Sequence, residues 1–103
     1  MRAVIQRVDR ASVRIHLREF SSIAQGLLVF LGVEKGDSEK DADYILEKTL
    51  HLRIFEDDEG KMNRSLVDIA GEMMVVSQFT LLGDCIKGRR PSFGRAEDPS
   101  RAN

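Results

Sequence analysis

The chain opens on alternation. Residues 3–8 read as a strand with β-branched Val4, Ile5 and Val8, and Val13 and Ile15 alternate with Ser12, Arg14 and His16 in a half-buried second strand. The stretch 17–25 is poorly patterned. Phe20 and Ile23 fit a short third strand, and no Asn-Gly or Asp-Gly marks a tight hairpin there. Residues 27–33 form a continuous apolar run interrupted only by Gly32, and its Val/Phe content predicts a strand buried on both faces.

Gly36-Asp37 breaks this pattern. Ser38 with Asp41 three residues on resembles a capping box, and Ala42, Ile45, Leu46, Thr49 and Leu50 recur at helical spacing, which predicts one amphipathic helix over 38–52. A short strand is expected at 53–55, then a charged turn at 56–60 and weak structure over 62–69. A buried apolar strand opens at Gly71 and carries residues 73–76. The order β-β-β-β-α-β-β predicts an α/β chain with a mixed sheet. Asp98-Pro99 is a helix start, with Asp as N-cap and Pro at the first helical position, yet the sequence stops at Asn103. On the local residues, a frayed tail and a helix cut short are equally open.

The composition narrows the class. A length of 103 residues suits one domain, and 42% hydrophobic residues exclude a disordered chain. The net charge of -1 confines any nucleic-acid contact to a local patch. Cys85 is the only cysteine, which rules out an internal disulfide and a Cys-rich zinc site. The first residues lack a signal-peptide core and no apolar run is long enough to span a bilayer, so the expectation is a soluble cytoplasmic protein with no membrane contact. Glu56, Asp57, Asp58 and Glu59 lack the spacing of a calcium loop, and no metal or cofactor is expected.

The candidate chemistry follows the apolar strand. Ser77, Gln78, Phe79 and Thr80 bring hydroxyls, an amide and an aromatic ring to its end. If the strand continues, alternation puts Ser77, Phe79 and Leu81 on one face and Gln78 and Thr80 on the other. Buried polar groups need partners, so the cluster either bonds neighbouring backbone or receives a ligand. Nothing aims His16 or His51 at it, and no Gly-x-Ser-x-Gly elbow is present, so a Ser-His-Asp triad is unsupported. A hydrolase of this design needs an activated bond or help from its substrate. Lys87, Arg89 and Arg90 flank Gly88 in the loop that follows, and suit either phosphate contacts or plain solvation. Cys85, beside these cations, has no evident partner.

The blocks MRAVIQRV (1–8), GLLVFLGVEKG (26–36), RIF (53–55) with KMN (61–63), VVSQFTL (75–81) and GRRPSF (88–93) resemble D-aminoacyl-tRNA deacylase, in that family's order and spacing and over almost the whole chain. The resemblance implies a three-layer β/β/α sandwich and a homodimeric cytoplasmic esterase without a cofactor. It implies hydrolysis of D-aminoacyl-tRNA, and of glycine mischarged on tRNA-Ala, at the ester of the 3′-terminal adenosine. The terminal ribose supplies a 2′-hydroxyl that assists catalysis. By position, Ser77, Gln78, Phe79 and Thr80 would line the aminoacyl and ribose pocket, and Lys87, Arg89 and Arg90 would meet the tRNA. A variant of the same resemblance makes Thr80 the nucleophile; the substrate-assisted view is favoured.

The chain also departs from the family. Its prolines, Pro91 and Pro99, follow Arg90 and Asp98, so the Gly-cis-Pro dipeptide with which the family excludes L-amino acids does not occur. Family members continue well past this point, so residues 1–103 are expected to be a single deacylase domain that is incomplete at its C-terminal end. Such a chain would expose apolar surface and sheet edges. Two other readings stay open: a catalytically impaired module that binds the tRNA 3′ end, and a non-functional fragment.

Overall fold

The computed structural model describes residues 1–86 and 88–102, and all of their side chains except those of Glu19, Phe20, Arg101 and Ala102. Its centre is β4 (Gly26–Gly32), which pairs antiparallel with β1 (Arg2–Val8) and parallel with β7 (Glu72–Ser77). β2 (Ala11–Ile15) and β3 (Arg18–Ile23) form an antiparallel ribbon. α1 (Glu39–His51) follows β4, and β5 (Phe55–Glu56) pairs with β6 (Met62–Arg64) in a second small ribbon. A single helical turn, α2 (Pro99–Ala102), stands where Asp98-Pro99 predicts a helix to begin.

Side-chain alternation explains the layers. One face of the sheet presents Leu27 and Val29 to Phe55 and Leu66, and all four are buried; Ala3, Ile5, Leu50, Ile54, Ile69 and Met73 pack around them. The other face carries Met74, buried like Ile23 of β3, where the β2–β3 ribbon approaches β7. The order is ribbon, mixed sheet, helix. β4 is less enclosed than its apolar run predicts, since Leu28 and Phe30 on its second face are only half-buried.

The α1 start follows its sequence signal. The Ser38 N–H donates to the Asp41 carboxylate at 2.8 Å, and this bond holds the Asp41 carboxyl below its ordinary range. Buried Thr49 satisfies its hydroxyl by donating to the Ile45 carbonyl at 2.7 Å. The apolar face of α1 is only partly used. Ala42 and Leu46, expected inside, are exposed, as is Tyr44.

Other expectations need correction. Residues 62–64, expected to be weakly structured, form β6, because Asp57 organises the turn before them. Its carboxylate accepts from the Glu59 and Lys61 N–H groups at 2.9 and 3.0 Å and from the Asn63 amide at 3.2 Å. The β2–β3 connection is a tight two-residue turn in spite of lacking glycine: Ile15 pairs with Arg18, while His16 and Leu17 take left-handed φ values of 52° and 65°. The strand over 73–76 is not buried throughout. β7 is an edge strand and Val75 is 54% exposed. The Cα radius of gyration is 15.7 Å, above the roughly 13 Å of a compact chain of this length.

Among the described residues, no helix is long and apolar enough to cross a membrane.

Candidate active site

β7 does not run on through the motif. The chain turns into a 3-10 helix, Phe79–Leu82, directly after Ser77 and Gln78. The Gln78 N–H donates to the Leu31 carbonyl at 2.8 Å, which ties the start of the turn to β4. The Leu81 and Gly83 N–H groups then close it onto the Gln78 and Thr80 carbonyls at 3.3 and 3.1 Å. Faces therefore do not alternate as a continuing strand requires. Gln78 and Thr80 are neighbours because the chain curls, and the Gln78 side-chain amide donates to the Thr80 hydroxyl oxygen.

Gly32 lets the turn lie against the sheet. A Cβ there would stand 3.1 Å from the Gln78 carbonyl oxygen and 3.2 Å from the Leu81 Cβ. Leu82 is completely buried beneath it. Ser77 and Thr80 are exposed, Gln78 is half-buried, and the Phe79 ring is 56% exposed. The Phe93 ring stands edge-on to Phe79, with centroids 5.2 Å apart. Phe93 lies on a returning segment that bonds beside β4: the Lys35 N–H donates to the Arg95 carbonyl at 2.9 Å, and the Glu97 N–H to the Val33 carbonyl at 2.8 Å.

Among the described residues, the site has donors but no base. Among the described residues, the Phe79 and Thr80 N–H groups make no hydrogen bond, as first-turn donors of a helix commonly do not. No histidine or carboxylate bonds the Ser77 or Thr80 hydroxyl. His51 lies 3.3 Å from Glu47 on α1, and His16 occupies the ribbon tip. Free N–H groups beside exposed hydroxyls can hold a carbonyl oxygen as it gains negative charge. They cannot deprotonate a hydroxyl.

The basic loop leaves from this turn and returns to it. Asp84 and Ser92 exchange backbone bonds of 2.9 and 2.7 Å at its neck, and Gly88 supplies a φ of 84°. Arg89 and Arg90 are exposed, while Lys87 lies outside the described residues. A cavity of about 310 Å³ at the neck is lined by Asp84, Ile86, Arg90 and Ser92. Hollows of about 820 Å³ lie elsewhere, one between Arg7, Glu56, Arg64 and Asp68 and one along Tyr44, Lys48 and His51; neither contains the motif. Among the described residues, no group of three His, Cys, Asp or Glu side chains is placed to hold a metal ion. Sequence reasoning overlooked Gly83 as the residue that admits the Phe93 ring beside Phe79. The only signal for Gly32 was an isolated glycine within an apolar strand.

Comparison with known proteins accords with this geometry. The family model described as D-Tyr-tRNA(Tyr) deacylase matches residues 4–103. A D-aminoacyl-tRNA deacylase of Syntrophus aciditrophicus is 70% identical over 103 residues, which is all of this chain and 69% of that protein. A D-aminoacyl-tRNA deacylase of Geotalea daltonii is 60% identical, with the same two coverages. Among solved structures, a c-Myc DNA unwinding element binding protein superposes with a TM-score of 0.91 at 41% identity, over 99% of this chain and 68% of that one. A probable eukaryotic D-amino acid tRNA deacylase shares the fold, with a TM-score of 0.75 at 18% identity over 95% of this chain and 58% of its own. The β/β/α layering is that of these structures, and the chain belongs to the D-Tyr-tRNA(Tyr) deacylase family.

Proposed function

We propose that this chain hydrolyses the ester of D-aminoacyl-tRNA, releasing the free D-amino acid and tRNA as a quality-control step of translation. Glycyl-tRNA mischarged on tRNA-Ala is a second substrate. One observation carries the reading of the site: exposed hydroxyls and unpaired N–H donors stand together at the end of β7 and in the turn that follows, with no base bonded to them among the described residues. Such a site suits an ester that is already activated and brings its own hydroxyl. Water attacks the ester carbonyl, and the Phe79 and Thr80 N–H groups stabilise the oxygen as charge develops. The bond to the ribose 3′ oxygen breaks, leaving a carboxylate and a 3′-hydroxyl, while the adjacent 2′-hydroxyl orients the water. Ser77, Gln78, Phe79 and Thr80 line the aminoacyl and ribose pocket, and Lys87, Arg89 and Arg90 meet the tRNA. The chain acts as a single domain in a cytoplasmic homodimer.

Exposed Arg89 and Arg90 beside the turn favour one second reading, a module that binds the tRNA 3′ end with weak or unselective turnover. The 103-residue chain is tested with D- and L-tyrosyl-tRNA and with D-tyrosyl-tRNA ending in 2′-deoxyadenosine. Turnover of the D-ester that disappears with the 2′-hydroxyl supports the enzyme. Equal rates on D and L esters place the loss in chiral rejection. Salt-sensitive tRNA binding without turnover replaces the enzyme with the module.

A further inference from the structure

Arg2 stands far from the motif in sequence, yet its guanidinium reaches the motif's turn. Its Nη1 donates to the Leu81 carbonyl at 3.1 Å across 79 positions of chain. A short helix leaves its last carbonyls without partners, and among the described residues the Leu81 carbonyl has no other donor. The turn is thus tied at both ends. At its start the Gln78 N–H is bonded to β4, and at its end the Leu81 carbonyl is bonded to β1 through Arg2. Phe79 and Thr80 lie between these ties. The bond is charge-assisted, the stronger class of hydrogen bond.

We propose that Arg2 is a positioning residue for the reaction: it fixes the Phe79–Leu82 turn against β1, and so sets where the Phe79 and Thr80 N–H groups and the Thr80 hydroxyl stand. This rests on reading residues 77–80 as the ester pocket. Arg2 itself touches no substrate. Its removal lowers the fraction of time the donors are aligned, so it acts on kcat rather than on KM.

The experiment compares Arg2→Met, which keeps apolar length and loses the donor, with Arg2→Lys, which keeps a cationic donor. Amide exchange is followed by mass spectrometry over residues 81–84, whose N–H groups close the turn and the loop neck, and steady-state deacylation of D-tyrosyl-tRNA is measured in parallel. In Arg2→Met, exchange at 81–84 rises about tenfold and the β2–β3 ribbon is unchanged, the scale expected for one charged hydrogen bond. With it, kcat falls about tenfold at a nearly constant KM, and Arg2→Lys recovers most of both effects. Unchanged exchange at 81–84, an equal rise in the ribbon, or identical behaviour of the Met and Lys variants overturns the proposal. Wild-type chain that turns over no ester removes the pocket reading instead, and the exchange comparison then decides the hold of Arg2 by itself.

Discussion

Phe93 meets Phe79 edge-on, with ring centroids 5.2 Å apart and planes at 71°, and it does so over a residue without a side chain. A Cβ on Gly83 would stand 2.9 Å from the Phe93 Cε1. The Gly83 φ of -63° is ordinary for any residue, so its requirement is space and not conformation. The aromatic wall of the site therefore depends on an absent methyl group between the turn and the basic loop.

Gly83→Ala consequently displaces the Phe93 ring and costs about 1–3 kcal/mol of stability, the usual cost of overpacking. The cost vanishes when the ring is removed. Gly83→Ala added to Phe93→Ala lowers stability by much less than it does in the wild-type chain. Urea unfolding of the four proteins measures the coupling, and additive losses would show that the clash is relieved elsewhere.

The ribbon tip stores removable strain. His16 and Leu17 both hold positive φ, and Leu17 is fully exposed at 101%. Left-handed backbone costs an ordinary residue about 1–2 kcal/mol. Replacing the pair with Asn-Gly, which favours this turn, raises stability by at least about 1 kcal/mol because almost no packing is lost. Thermal unfolding would show a higher Tm, with deacylation unchanged.

Acid stability is set by carboxylates held by backbone N–H groups. The Asp57 carboxyl is lowered chiefly by its bond from the Lys61 N–H, and the Asp68 carboxyl chiefly by its bond from the Ser65 N–H. Asp41 is lowered in the same way by Ser38. A folded pKa below the unfolded one gives stability that is complete above the unfolded value, about 3.9 for Asp. It is lost as pH falls through the lower folded value. The urea midpoint is therefore flat from neutral pH to mildly acid pH and drops below about pH 4. Asp57→Asn lowers the plateau and makes the acid drop shallower, which a series of urea curves between neutral and strongly acid pH would measure.

What could be read from the residues divides by range. The α1 start, the Asp57 turn and β4 are legible because their causes are local: a carboxylate reaching a nearby N–H, a glycine at positive φ, an unbroken apolar run. The ribbon tip was obscured because His16-Leu17 carries no turn chemistry and owes its conformation to the pairing on either side. The 3-10 turn was not legible because the residues show where the apolar run over 73–76 stops, but no glycine, proline or capping pair says how the chain curls after it. Arg2 on Leu81 joins residues far apart in the chain, and no local pattern announces the bond. Hydrophobicity marked Val75 as core material, but it carries no information about whether anything covers an edge strand.

Thr80 separates two mechanisms. As a nucleophile it would need a base, and its hydroxyl oxygen instead accepts from the Gln78 side-chain amide, with no carboxylate or imidazole bonded to it among the described residues. That bond leaves the Thr80 hydroxyl proton available to a substrate acceptor. Thr80→Ala should then retain turnover of D-tyrosyl-tRNA within about tenfold, the scale of one neutral hydrogen bond. Thr80→Ser should lie close to the wild type, and Gln78→Ala should lose little more once Thr80 is alanine, because the two side chains act together. A nucleophilic role makes the opposite demand: complete loss in Thr80→Ala, and a D-tyrosyl group on Thr80 that rapid quenching can trap. Single-turnover kinetics with labelled D-tyrosine, followed by mass analysis of the quenched chain, decides between them. A trapped adduct would transfer the chemistry from the ribose hydroxyl to the protein.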